Sequence, residues 1–493
     1  MKQNTTKAIC NITFLFALFF KVFGAGFSYF CTLDDYIQYG CYPRYDNLFH
    51  VYFEMGTASA RPLAAFADPA VWGAFFPHMV FALLIITMLH FISAKLFDYC
   101  LQGCGITITP FFYLVYLLVP LGFEGTYWIS ASSRIVVGLF FTALAATLLI
   151  KYIKTKKCDC LILYGVFCLA SFGFYESVMV LSGLVQALII FQFFIKEKRY
   201  HRLFLLAVPL LCAIFVLLYY KLASALSPVV RTASFSLENL GGRTKELLSQ
   251  LGYIFTAGLY RTTLVGFADG AKRLAQSGIL GMLVGALILI ISACCAYFGG
   301  KIKLSPPRAK YCVPAGLFMI LLPLLPNILV PDVWLTYRSI VVCLPGFCIL
   351  FAPLMSHILR DKRVATVTIF AASVLFLVGC YNEVQTYKEV SKLDQKIANE
   401  IVAHLDADVL DAKKNVVLVF KNEVITPQTS LYKDHVKSAF YVDWAATGIV
   451  RATAGNIHIK TVTPVYSLDA VDTESAQVLY VDEFYHVTEE QHE

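Results

Sequence analysis

The chain has 493 residues, 58% of them hydrophobic and 15% charged, with a formal net charge of +7 and a mean hydropathy of +0.68. Such a balance excludes a soluble globular protein and describes a polytopic α-helical membrane protein. The lysines and arginines gather in short loops between apolar segments, so the positive charge is read as topology and not as a nucleic-acid footprint.

Crossing about 30 Å of hydrocarbon takes about 20 apolar residues in a helix. Segments of that kind lie near residues 8–30, 70–93, 107–123, 131–150, 161–177, 178–195, 203–222, 276–298, 311–330, 339–358 and 364–382, which predicts about eleven spans. Gly24-Ala25-Gly26 resembles the small residues of a cleavage site. The first apolar run is longer than the roughly 7–15 residues of a signal-peptide core, so an uncleaved anchor is expected.

Lys2 and Lys7 precede the first span, and the loops after the fourth, sixth, eighth and tenth carry Lys151, Lys154, Lys156 and Lys157; Lys196, Lys198, Arg199 and Arg202; Lys301, Lys303, Arg308 and Lys310; and Arg360, Lys362 and Arg363. The positive-inside rule makes all of these cytoplasmic, with the N-terminus inside and the C-terminus outside. The opposite side then receives the first loop, 31–69, the long loop 223–275, the 331–338 turn and the tail.

The first loop opens with Cys31-Thr32-Leu33-Asp34-Asp35-Tyr36. An acidic pair where a helix leaves the bilayer is costly next to hydrocarbon and points to a reaction site at the membrane surface. Cys31 and Cys41 bracket it, either as a disulfide or as two free thiols. Most of the other cysteines, Cys168, Cys212, Cys294, Cys295, Cys343 and Cys348 among them, fall inside spans as small hydrophobes. Cys100, Cys104, Cys158 and Cys160 lack the companions a zinc site needs.

Further ionisable and aromatic residues fall on the same expected side: Arg44, Asp46, Glu54 and Arg61 in the first loop, Glu124, Tyr127 and Trp128 before span four with Arg134 just beyond, Tyr175 and Glu176 between spans five and six, and Trp334, Tyr337 and Arg338 before span ten. Ionisable groups at that depth face a cavity or one another. Singly, each has a plainer reading as a snorkelling arginine or a belt aromatic.

Residues 1–384 form the membrane domain, and 385–493 change character. Helical spacing covers Lys388–Asp408, and alternating strand-like runs follow at Asn415–Lys421, Ala439–Asp443, Asn456–Val465 and Val478–Val487, which predicts a small extracytoplasmic α/β domain. No expected cytoplasmic loop exceeds about a dozen residues and no Walker A sequence occurs, so a nucleotide has no evident place to bind. No internal repeat or matched pair of broken helices marks a secondary transporter.

One anchor helix, an external loop opening with Asp34-Asp35, the later Arg61-Pro62-Leu63, many further spans and an external C-terminal domain together resemble the GT-C superfamily of membrane glycosyltransferases. The closer likeness is to the bacterial O-antigen glucosyltransferases of the Gtr type. It rests on motif over the first 70 residues and on topology beyond, and Ala60 stands where glycine is the rule. The resemblance implies a GT-C-like fold in a bacterial plasma membrane, with its active site on the extracytoplasmic side. It also implies a hexose such as glucose, donated from polyprenyl phosphate to a cell-surface or lipid-linked glycan, and leaves a divalent metal open.

The residues suit that chemistry. A sugar phosphodiester already carries a good leaving group, so a base for the acceptor hydroxyl and positive charge for the departing phosphate are what is needed. Asp34 or Asp35 is the expected base of an inverting displacement, the other orienting the acceptor or a divalent metal; Arg61, Arg134 and Arg338 are the candidate phosphate ligands, and Glu176, Tyr127, Trp128, Tyr175, Trp334 and Tyr337 the candidate sugar contacts. The alternatives are a flippase or transporter of lipid-linked sugars and a glycan polymerase or ligase. Paired arginines in the long loop would mark the last, whereas Arg231, Arg243 and Arg261 are scattered.

Overall fold

The computed structural model describes residues 3–40, 61–226, 238–304, 309–329, 335–422, 437–468 and 475–489. They divide into two units. The first is drawn from Met1–Phe27, Tyr52–Ala67 and Val80–Glu383, the second from Ser28–Val51, Asp68–Met79 and Val384–Glu493.

The helices of the first unit are α1 (Gln3–Phe23), α2 (Val80–Gly103), α3 (Thr109–Tyr113), α4 (Ile129–Thr155), α5 (Cys158–Phe172), α6 (Glu176–Glu197), α7 (Ala207–Leu226), α8 (Leu240–Tyr253), α9 (Gly266–Gln276), α10 (Gly278–Gly299), α11 (Ala309–Leu321), α12 (Leu344–Ile358) and α13 (Lys362–Ala403), the last continuing into the second unit. Among the described residues, nine helices are long and apolar enough to cross a membrane. The chain is a polytopic helical membrane protein. The segments read at 107–123 and 161–177 fold as the shorter apolar helices Thr109–Leu118 and Cys158–Phe172, which fall short of the length that the nine meet. The first ends as a π-helical turn, Leu114–Leu118, ahead of Pro120, where a proline without an amide hydrogen stops the ladder. Buried Lys21 of α1 donates to Leu117 O at 2.9 Å and so caps that broken end.

α4 sits at the centre, with 72% of its apolar window buried, packed against α2, α5 and α6. On the outside, Leu211 and Phe215 of α7 and Ile279, Leu280 and Met282 of α10 are exposed, as helices facing lipid require. The second span begins at Val80, ten residues later than the expected 70. Residues 68–79 instead make short π and 3-10 turns of the second unit, where Pro69 and Pro77 break the helical pattern. The shift carries Lys95 and Asp98 into α2. There Asp98 accepts from Thr109 Oγ1 and Gln102 Nε2, both at 2.7 Å, with Lys7 Nζ 3.5 Å away.

α13 has 42 residues. At about 1.5 Å per residue it is roughly 63 Å long, twice the hydrocarbon thickness. The expected helix near 388–408 is therefore the continuation of the last span, and the unit boundary falls within it. In the second unit a four-stranded sheet is ordered β2-β1-β3-β4. Its strands are β1 (Asn415–Phe420), β2 (Val462–Val465), β3 (Ala476–Val481) and β4 (Val487–Thr488). β1 is parallel to both neighbours, with Leu418 opposite Pro464 and Leu479, and β4 is antiparallel to β3. The strand expected at Ala439–Asp443 is absent: Ser438 Oγ accepts from Phe440 N, turning Ala439–Tyr441 into a 3-10 turn, and helix α14 (Asp443–Ala454) follows. α14 buries Ala445, Ala446, Ile449 and Val450, a helical spacing, against Val416, Leu418 and Leu479 of the sheet.

Candidate functional site

In the second unit, Asp34 and Asp35 lie on a 3-10 turn, Leu33–Tyr36, and their surroundings differ. Asp35 is 2% exposed; its Oδ2 accepts from Tyr29 Oη at 2.5 Å and Thr32 N at 3.1 Å, while its own amide returns to Thr32 O. That is a carboxylate spent on holding the turn. Asp34 is half-buried and accepts from Trp444 Nε1 of α14 at 3.1 Å. Two glycines bring the turn and α14 together. A Cβ on Gly448 would stand 2.2 Å from Tyr36 O, and one on Gly40 would stand 2.0 Å from Trp444 O. Arg451 of α14 closes the contact, donating from Nη1 to Gly40 O at 3.2 Å and from Nε to Ile459 O at 2.7 Å. The acidic pair is thus carried by the C-terminal segment, a dependence that its position near the N-terminus does not reveal. Cys31 is a free thiol, buried enough that its thiol is pushed well above the ordinary range, with Asp35 adding to the rise. Cys41 lies outside the described residues.

In the first unit the arginines come to rest beside acids and rings. Arg61 Nε donates to both Glu176 oxygens at 3.0 Å, and its guanidinium lies 4.5 Å from the Tyr175 ring centroid. Its position follows from the backbone: the Pro62–Ala67 helix begins against the turn ending α5, with Leu63 N donating to Gly173 O at 2.9 Å. Only glycine fits there, since a Cβ on Gly173 would meet Leu63 Cγ at 2.7 Å. Arg338, in the 3-10 turn Tyr337–Cys343, donates from Nη1 to Glu124 Oε1 at 3.0 Å and lies 5.4 Å from the Trp128 ring. Glu124 itself is 2% exposed. Arg134 is half-buried in the second turn of α4. Both pairs sit where α4 and α6 begin, at one end of the bundle.

Tyr127 is fully buried with its ring stacked on Phe123 at 5.1 Å, and Tyr337 is largely buried. Trp334 lies outside the described residues. The 238–276 stretch brings residues that the sequence reading left scattered or unnoticed. Arg261 Nη1 donates to Tyr253 Oη at 3.3 Å, and both Arg261 and Glu383 lie within electrostatic range of the Tyr337 hydroxyl. Glu383 is fully buried at the end of the first unit's share of α13. An acid closing an apolar helix is itself a signal, passed over because the last span was read as stopping at 382.

One end of the bundle therefore carries forked cations and aromatic rings, the groups that bind phosphate oxygens and sugar faces, while Asp34 is a carboxylate with a single tryptophan donor on Oδ1. Among the described residues no three His, Cys, Asp or Glu side chains converge on a metal position. No family model, curated protein or solved structure matches the chain.

Proposed function

We propose that the chain is a membrane glycosyltransferase of GT-C type, moving a hexose from a polyprenyl-phosphate carrier to a glycan acceptor on the extracytoplasmic face of a bacterial plasma membrane. The observation that supports this best is the pairing of Arg61 with Tyr175 and of Arg338 with Trp128 at one end of an otherwise apolar bundle. Each couple offers a guanidinium for phosphate and a ring for a sugar. Asp34 takes the proton from the acceptor hydroxyl as the anomeric carbon inverts, and Asp35 holds the turn that presents it. The arginines stabilise the departing polyprenyl phosphate.

The test is transfer from radiolabelled polyprenyl-phosphate sugars to envelope glycans by purified protein. Asp34→Asn removes transfer and leaves unfolding unchanged. Asp35→Asn also lowers stability, because Tyr29 Oη and the buried Thr32 amide lose a carboxylate acceptor, at about 1 kcal/mol or more per bond. Transfer by Asp34→Asn at the wild-type rate overturns the assignment.

A second reading, a flippase for lipid-linked sugars, is favoured by the same arginines being already paired with Glu176 and Glu124, as gating ion pairs would be. Sealed vesicles that move the labelled lipid across the bilayer without changing it covalently decide for that reading.

A further inference from the structure

At the other end of α4 and α6, away from the arginine–aromatic couples, two basic turns meet. Lys156 follows α4 in a left-handed conformation, and Glu197 closes α6 ahead of Lys198, Arg199 and the 3-10 turn Tyr200–Leu206. Glu197 is the acid they share. Its Oε2 accepts a short hydrogen bond from Arg202 Nη2 and lies 3.8 Å from Arg199 Nε. Arg202 is only 3% exposed, with its guanidinium 5.8 Å from the Phe193 ring. Its Nε and Nη1 are buried and meet no acceptor among the described residues. Basic residues at helix ends ordinarily serve topology and remain solvated. Arg202 does not, and buried donors left unmade are costly. Lys156 is held below the usual lysine range by partial burial and then by Arg202 and Arg199, a crowding of cations with too little acid among them. Beside them Tyr200 and Phe204 are highly exposed apolar side chains, suited to acyl chains.

We propose that this basic cluster binds the phosphate group of an anionic membrane lipid, with Arg202 as the buried anchor and Lys156 and Arg199 as outer contacts. The phosphate takes the place of the Glu197 carboxylate, which is 32% exposed and has water on its open side to turn into. A guanidinium fork accommodates a phosphate as readily as a carboxylate, and the phosphate supplies the further oxygens that Nε and Nη1 lack.

The experiment uses the full chain in neutral detergent, with binding followed by native mass spectrometry and thermal shift. The probes are dioleoyl phosphatidylglycerol, dioleoyl phosphatidylcholine and inorganic phosphate. Phosphatidylglycerol is expected to bind and raise the melting temperature where the other two do not. The exposed pair Lys156→Gln/Arg199→Gln should weaken it about 30-fold, the usual worth of two cations near an anionic surface. Glu197→Gln removes the competitor and should tighten it, an effect that a purely structural Glu197 would not produce. Equal binding of the two lipids, unchanged affinity in the double variant, or weaker binding in Glu197→Gln overturns the proposal. Inorganic phosphate acting as well as the lipid overturns the assignment to lipid.

Discussion

Replacing Arg338 with methionine removes the guanidinium 3.0 Å from Glu124, a carboxylate only 2% exposed, and keeps most of the aliphatic packing. Breaking a buried pair by deleting one partner typically costs about 3–5 kcal/mol, because the remaining charge is left in a poor solvent. Arg61→Met is the control. Its partner Glu176 is 34% exposed, so water reaches the charge left behind and the loss should be markedly smaller. Reversible unfolding of the full chain in mixed micelles of detergent and SDS should therefore separate the two variants by several kcal/mol. Glu124→Gln combined with Arg338→Met should recover most of the loss, since the uncompensated charge has gone. If the proposed transfer is correct, both arginine variants also raise the donor KM, so activity cannot separate them while stability can. Equal stabilities of Arg338→Met and Arg61→Met, or no recovery in the double variant, refute the burial argument.

Two other outcomes follow from the second unit. Gly448→Leu drives a Cβ to within 2.2 Å of Tyr36 O, so the acidic turn should leave α14; limited proteolysis then cuts near residue 36 while helical circular dichroism is retained, and an unchanged digest would contradict the docking. Asp394 lies on the part of α13 beyond the apolar stretch, accepts from Ser438 Oγ and from Ala439 N at 2.8 Å, and burial raises its carboxyl from 3.8 to about 7. A raised folded value means stability that is full below pH 3.8 and lost as pH climbs through 7, about 4 kcal/mol over that window. Asp394→Asn should flatten the difference in melting temperature between pH 4 and pH 8, and parallel curves for variant and wild type would argue against it.

Hydropathy alone located the membrane segments, because a helix in hydrocarbon must be apolar over a known length. It misplaced the second by ten residues, since Val71, Trp72 and Phe75 are as apolar as a span and only Pro69 and Pro77 mark the turns. The same lack of local signal hid the entry to α14, where Tyr441 and Val442 read as a strand until Ser438 is seen capping the turn. Candidate residues were recognisable as ionisable groups in apolar surroundings, but their partners were not. Arg61 and Glu176 are 115 positions apart, and Arg338 and Glu124 are 214 apart. A single sequence carries no record of such pairings. That Asp34 and Asp35 would differ, one half-open and one committed to its own turn, depended on Tyr29, Thr32 and Trp444 taking up particular places.

The Asp34–Trp444 hydrogen bond joins residues 410 positions apart. The donor is supplied by α14, so during synthesis the acidic turn must wait until residue 444 has emerged. Contacts of such separation form late, after the loop they close has been ordered by other means. A chain stalled before residue 444 would hold the apolar helices described above and both aspartates and still lack the donor that Asp34 uses. The acidic turn is thereby made conditional on a helix synthesised long after it.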